Sequence, residues 1–434
     1  VSVLASASAP GGSDVDVVVI GAGVAGLAAA GTLRRAGRRV ELIESGKRIG
    51  GRAWTELIDG QPFDHGAQWL HAAHRNPLVD LAKARGEAVE PDAPWSKRMR
   101  IMDAPGLAAD MDAYQTAESA WQAAVTARLG GADCSLADAS APVADDPWTA
   151  TIEAWEGAII AAGDADDLSL ADWHANELDG ENYVAAGGIG ALMARLLDTP
   201  ARLGVRATAL VAAPDGVRVE TSGGTLHAGA AILTVSTGVL RDERLRFSPG
   251  LPLDVLAALD GLPMGLLSKI VLRAAGTDRL GLPESAGVFR RAPSRGAPFL
   301  STIFWAGGSD MAMGFVGGSA AWAFASRPAE AGAFMRAELG AVFGHDVSGA
   351  FAPGELMTAW GTNSDFAGAY AYARPGHAGS RAVLAAPLWD GRLALAGEAC
   401  APDGLAGTVA GAYRSGVIAA GRILDGFTAP PRCV

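Results

Sequence analysis

Apolar runs punctuated by glycine organise both ends of this chain. From position 15 the sequence reads VDVVVIGAGVAGLAAAGTLRRAGRRVELIES. The β-branched run at 17–20 shows no polar alternation, the pattern of a parallel strand buried on both faces. A small-residue segment from about Val24 predicts a helix, and residues 40–43 predict a second strand ending at Glu44. Near the other end, LALAGEACAPDGLAGTVAGAYRSGVIAAGRIL covers 393–424. There 393–396 reads as another buried strand, and after a loop Gly407 and Thr408 open a helix from about Val409 to Leu424. In between, 263–273 is a strand-like apolar run broken by one lysine, Lys269, and 78–180 reads as a helical stretch.

The glycines in the first unit are spaced for a dinucleotide. Gly21 permits the tight turn, Gly23 lets a pyrophosphate approach the backbone, and Gly26 brings helix against sheet. The helix start offers amide donors and a positive dipole end. Glu44, about twenty residues on, can accept hydrogen bonds from ribose hydroxyls. This unit alone leaves FAD and NAD open. The next stretch, SGKRIGGRAWT, favours FAD. Arg48, Gly50, Gly51 and Arg52 add backbone and guanidinium donors for a pyrophosphate, too soon after Glu44 for an ordinary dehydrogenase fold. At the far end, Gly397 and Glu398 close a strand where a carboxylate can meet a ribityl hydroxyl. A helix starting at Thr408 and Val409 would direct its dipole at a flavin that becomes anionic on reduction.

Composition narrows the class. A chain of 434 residues is too long for one ordinary core, so two domains are expected. Half the residues are hydrophobic, which suits a soluble globular enzyme. The 57 glycines fit close backbone packing around a ligand, though such a composition equally marks a GC-rich bacterial genome. A net charge of -12 argues against a nucleic-acid partner. Cys134, Cys400 and Cys433 lack the spacing of a disulfide framework or zinc site. No apolar run is long enough to span a membrane. The opening VSVLASASAPGG resembles the tail of a signal peptide but lacks a basic start and a full apolar segment, and reads as a flexible leader or a trimmed start. The compartment, cytoplasmic or periplasmic, stays open.

Taken together, GxGxxG with Glu44, RxGGR at 48–52 and AGE…GT…GA..SG at 396–416 resemble the FAD-dependent amine oxidase family. That family holds monoamine oxidases, polyamine oxidases, L-amino-acid oxidases and histone demethylases. NYVAAGGIGALMARL at 182–196 and AAILTVSTGVL at 230–240 resemble its central segments. The resemblance implies an α/β fold, with a Rossmann-type FAD-binding domain (13–78, 187–261 and 385–427) interleaved with a mixed-sheet and helical substrate-binding domain (79–186 and 262–384). It implies removal of a hydride from the carbon beside an amine to flavin N5. The resulting iminium hydrolyses to a carbonyl compound, and the electrons pass to oxygen or another acceptor. A flavin desaturase, an L-amino-acid or cyclic-amine oxidase, and more remotely a non-catalytic FAD-binding protein, are the alternatives.

The same resemblance bears on FDHGAQWLHAAHRNP at 63–77, which gathers three of the seven histidines. It is similar to the polyamine oxidase segment that passes over the flavin, with Gly66, Ala67, Gln68 and Trp69 at the cofactor and cavity, His71 in the cavity, and Asn76-Pro77 opening a helix. L-amino-acid oxidases carry an arginine just after this GA; Gln68-Trp69 stands there instead, which favours amines. No metal is expected, because His71 and His74 sit three apart with no third ligand at a recognisable distance; His65 and His74 read as structural or surface residues. Lys269 matches the family lysine that holds a water against flavin N5. Trp360, Tyr370 and Tyr372 match its W-G…Y-x-Y segment, with Tyr370 beside the flavin. Ala369 replaces the cysteine that bonds the flavin in monoamine oxidases, so the FAD is expected to be non-covalent, and Thr408 replaces their second cage tyrosine.

Overall fold

The computed structural model describes residues 14–242 and 244–428. The segment read as a leader, the boundary at Ser13 and the position of Cys433 lie outside the described residues. The first strand, β1, spans Val15–Ile20, the first helix, α1, Val24–Arg35, and the second strand, β2, Val40–Glu44. Val17, Val18 and Val19 are fully buried. The reason is that β1 lies mid-sheet, parallel to β2 on one side and to Gly224–Leu233 on the other. Strands Leu393–Leu395, Arg202–Leu203 and Arg246–Ser248 extend the parallel pairing, and a meander of Ala207–Ala213, Gly216–Thr221 and Gly224–Leu233 supplies the antiparallel part.

Small residues let two helices cover one face of this sheet closely. A Cβ on Gly416, in the helix Val409–Thr428, would lie 2.1 Å from the carbonyl oxygen of Ala25 in α1. A Cβ on Gly26 would lie 1.8 Å from Gly21 O, so only glycine allows the first turn of α1 to rest on the end of β1. Asn76 caps the helix Pro77–Ala84 by accepting from Leu78 N at 3.0 Å, with proline at the first helical position as its sequence suggests.

A second sheet of seven strands is mixed. Leu267–Arg273, Met311–Gly317, Ser301–Phe304 and Ala286–Arg290 run antiparallel in that spatial order. Met99–Ala104 then adds parallel to Ala286–Arg290, and Leu107–Ala108 closes the edge. This corrects the reading of 78–180 as helical: part of it is strand. Residues 99–104 show too little apolar alternation to announce themselves, and tertiary pairing overrides local propensity. The remainder of that stretch is helical, including Met111–Thr126 and a π-helical segment, Ala154–Ala161. Within the described residues no helix is long and apolar enough to cross a membrane, and no cluster of three His, Cys, Asp or Glu side chains is placed to hold a metal ion.

Candidate active site

One cavity of about 680 Å³ runs from the β1–α1 turn to Lys269, Tyr370 and the π-helical segment. Its first end is built from backbone. Gly21 holds φ +99, Gly50 φ +93 and Gly51 φ +60, conformations that other residues adopt only with strain. Gly50 N donates to Ala22 O at 2.8 Å, bringing the second glycine pair onto the first turn. A Cβ on Gly51 would sit 3.0 Å from Gly23 Cα. No side chain caps α1, and its first residues, Val24 and Ala25, line the cavity. Glu44 is fixed at the end of β2, accepting from Ala22 N at 2.8 Å and from Gly46 N at 2.7 Å. An uncapped helix start, a glycine cradle and an acid at the next strand end suit the phosphates and ribose of a dinucleotide.

Arg48 lies outside the cavity lining: its guanidinium stacks over Trp54, 4.5 Å from the ring centroid, and donates to Ile49 O. Stacking on an aromatic face suits a guanidinium that burial is already desolvating. Glu398 reaches the cavity wall but is already engaged, accepting from Arg52 Nη1 at 2.8 Å and from Ala371 N. Arg52 also donates to Ala369 O at 2.7 Å. The half-buried Arg52 and the buried Glu398 therefore form a pair that pins Ala369 and the strand Tyr370–Ala371. Gly397, Gly407, Thr408 and Val409 all line the cavity. The Thr408 hydroxyl accepts from Gly411 N at 3.0 Å, capping the helix that follows. A Cβ on Gly407 would lie 3.2 Å from the Tyr370 ring.

At the other end the apolar strand brings Lys269 into the wall, 4% exposed. Its ammonium donates to Asp64 O at 2.5 Å, Gly66 O at 3.0 Å and Gln68 Oε1 at 2.8 Å. Burial lowers its pKa to about 8, against an opposing pull from the Asp64 charge. The rings of Phe63 and Phe315 lie 5.6 and 5.7 Å from Nζ. Trp360 donates its indole N–H to His65 O at 2.9 Å. Tyr370 donates its hydroxyl to Ile160 O at 2.8 Å, tying the strand Tyr370–Ala371 to the π-helical segment. Ala67 and Tyr372 also line the cavity, and the Tyr372 ring would lie 3.1 Å from a Cβ on Gly163.

The three histidines separate cleanly. His71 lines the cavity, with Nδ1 2.9 Å from Asn182 Oδ1. That partner assigns the proton to Nδ1 and leaves Nε2 as an acceptor. Burial pushes its pKa below the ordinary value, keeping the ring neutral. Trp69 beside it donates to Asp92 Oδ2 at 2.9 Å. His65 is buried, stacked on Trp54 at 3.7 Å and paired with Glu56 at 2.8 Å, although its edge also reaches the lining. His74 is exposed, 3.7 Å from Asp179.

Sequence reasoning missed two features, both anchored in the helical stretch. Glu156, on the π-helical segment, lines the cavity and hydrogen-bonds the Trp173 side chain. Burial first, and the Glu118 charge second, raise its pKa to about 7. Two acids inside the apolar run ATIEAWEGAII were the available signal, since a carboxylate among buried apolar neighbours needs a reason to be there. The second is a bidentate pair, Arg381 Nε to Asp172 Oδ1 at 2.7 Å and Nη2 to Oδ2 at 2.8 Å, buried in the wall. Arg381 also donates to Ala371 O, and Asp172 accepts from Ala373 N. The tyrosine-bearing strand is thus held by two ion pairs from opposite chain regions.

Comparison with known proteins agrees with this geometry. Residues 24–424 match the family model described as flavin containing amine oxidoreductase. The chain is 29% identical to polyamine oxidase 5 of Oryza sativa subsp. japonica, over 94% of this chain and 87% of that protein. It is 28% identical to lysine-specific histone demethylase 1 homolog 3 of Oryza sativa subsp. indica, over 94% of this chain but 54% of that longer relative. The solved structure of wild-type putrescine oxidase bound to putrescine superposes with a TM-score of 0.74 at 20% identity, covering 95% of this chain and 99% of that one, which shows a shared fold.

Proposed function

The chain belongs to the family of flavin containing amine oxidoreductases, and from that premise we propose that its substrate is a diamine or polyamine, held by a second nitrogen on Glu156. FAD is the cofactor, and when bound it supplies the two-electron acceptor for the amine's α carbon. Everything else falls to the chain's own side chains.

An alkylamine has a pKa of about 10 and arrives charged, yet the nitrogen beside the reacting carbon must be neutral. The Lys269 ammonium disfavours a second cation at its end of the cavity. His71, neutral and offering Nε2, can accept a hydrogen bond or proton from the incoming amine. Glu156 does the reverse, stabilising a remote ammonium that keeps its proton. The two guanidinium groups beside the 369–371 strand, Arg52 and Arg381, are committed to Glu398 and Asp172. Neither is free to hold an amino acid's carboxylate, which supports an amine over an amino acid. Residues 13–78, 187–261 and 385–427 would carry the cofactor, and 79–186 with 262–384 the substrate.

The observation that carries this reading is Glu156, a half-buried acid in the cavity lining. Steady-state kinetics with a linear diamine, a monoamine of equal length and an amino acid test it. A diamine kcat/KM well above the monoamine value is expected, and equal values for the two would overturn it. Parallel aerobic and anaerobic turnover with an artificial dye identifies whether oxygen or another acceptor takes the electrons.

A further inference from the structure

Lys269 is surrounded more completely than a lysine serving a reaction needs to be. An ammonium has three N–H donors, and all three have acceptors: Asp64 O, Gly66 O and Gln68 Oε1. Two of these cannot leave. Asp64 sits in the hairpin Thr55–Ile58 with Gln61–Asp64, and its carboxylate is locked onto Thr55 and onto the amides of Ile189 and Gly190. Gly66 is wedged against Arg52, whose carbonyl oxygen would lie 1.9 Å from a Cβ at that position, and Ala67 N bonds the same oxygen. The third acceptor is a side chain on rotatable bonds, and it lines the cavity.

We propose that Gln68 is the positioning residue for Lys269: its carboxamide takes the one lysine donor not fixed by backbone, and so decides whether that donor is free for a molecule in the cavity. The inference goes beyond the amine reading and needs only that Lys269 faces the bound cofactor's cavity. A carboxamide suits the task because it has both an acceptor and donors. Its oxygen accepts a hydrogen bond from the ammonium; turned over, its N–H₂ would donate to the lone pair of a neutral amine. Glutamate would serve only the charged lysine, and methionine neither form. The titratable groups that act electrostatically on this lysine are Asp64 and His65. Burial keeps His65 below its ordinary pKa, so it adds little positive charge.

The chain makes the test direct, because it contains four lysines. Lys47, Lys83 and Lys97 are exposed, and Lys269 is buried. Side-chain NMR of [13C]lysine-labelled, FAD-loaded enzyme therefore reads Lys269 as the one resonance set that departs from solvent-like titration. The expected midpoint is about 8 in the wild type. Gln68→Met should lower it by roughly one to two units, the effect of losing one hydrogen bond to a charged group, and Gln68→Glu should raise it by at least about one. The pH midpoint of flavin reoxidation should shift in the same direction in each variant. A Gln68→Met enzyme with full flavin content and a Lys269 midpoint within about 0.3 unit of wild type would overturn the proposal. So would the two variants moving it the same way. No substrate enters the NMR measurement, so failure of the diamine reading would leave its result standing.

Discussion

Replacing Glu156 with glutamine removes a charge while keeping shape and hydrogen-bonding capacity, so it isolates the electrostatic part of substrate recognition. A hydrogen bond to a charged group contributes about 1.5–3 kcal/mol. At about 1.36 kcal/mol per tenfold, the variant should lose roughly 10- to 150-fold in kcat/KM for a diamine. The same change should leave a monoamine of equal length nearly untouched. The pH dependence sharpens the test. Burial and the Glu118 charge hold Glu156 near a pKa of about 7, so above that value the carboxylate is formed and below it the acid is neutral. One unit below the midpoint about a tenth is ionised, which costs the wild type about 1.4 kcal/mol of binding. The advantage of wild type over variant should therefore shrink about tenfold between roughly pH 8 and pH 6. Initial rates of peroxide release or dye reduction, measured for both amines across that range, provide the data. If the variant loses both amines equally, or if its deficit does not change with pH, Glu156 does not hold the second nitrogen.

Four further outcomes follow from the same site. Lys269→Met should retain FAD and the fold while removing the alkaline limb near pH 8 in one flavin half-reaction, since burial holds that ammonium at about 8; stopped-flow traces with both half-reactions unchanged would exclude the lysine from the mechanism. His71→Ala should lower kcat/KM for amines by roughly 10- to 100-fold, and because burial depresses its pKa the acid limb it imposes lies below the ordinary 6.5; equal damage from His74→Ala, with unchanged melting, would point to the wrong histidine. Acid or heat should release FAD into the supernatant, because the family resemblance puts Ala369 where other members carry the attaching cysteine, and Cys400 is buried outside the main cavity with its pKa raised to about 12; colour retained in a washed pellet would contradict this. Glu156→Gln should also raise thermal stability at about pH 8 more than at about pH 4: a carboxyl whose folded pKa is raised favours the fold while protonated, and that benefit fades between its unfolded value of 4.5 and about 7, so equal gains in Tm at both pH values would argue against a buried ionisable acid.

The dinucleotide end was legible because its constraints act on the backbone. A β-branched run, glycines at 21, 23 and 26, and an acid at a strand end leave few alternative structures. β1 and β2 fall within two residues of their expected bounds, and α1 starts at Val24 as expected. The C-terminal helix likewise starts at Val409 as expected, although it continues past Leu424 to Thr428. Lys269 announced itself as a charge inside an apolar strand. Arg48 did not follow its motif because the spacing of RxGGR gives no information about where a flexible side chain goes. Trp54, two residues beyond the motif, offered it a ring face. Glu398 was found as a residue but not as a partner, since Arg52 lies 346 positions away.

The substrate end resists sequence reading for a different reason. A phosphate cradle needs particular backbone angles, which restrict residue type position by position. An amine pocket needs only that a few side chains arrive from any direction. Glu156 comes from a π-helical segment, and Asp172 reaches Arg381 across 209 positions. Glu156 was flagged only by its apolar surroundings, and nothing local marks Asp172 as the partner of Arg381. The link between the two ends is physical rather than patterned: Tyr370 donates to Ile160 O on the same segment that carries Glu156. Ala371 is held by Glu398 on one side and Arg381 on the other. The tyrosine strand therefore registers against both halves at once, and its hydroxyl is one of the links to the π-helical segment. Removing it should separate the two kinds of constraint. Tyr370→Phe keeps the ring beside Gly407 but frees Ile160 O, so FAD content should stay full while discrimination between diamine and monoamine weakens. If that variant loses FAD instead, the hydroxyl supports the cofactor cradle and the division drawn between the two ends is wrong.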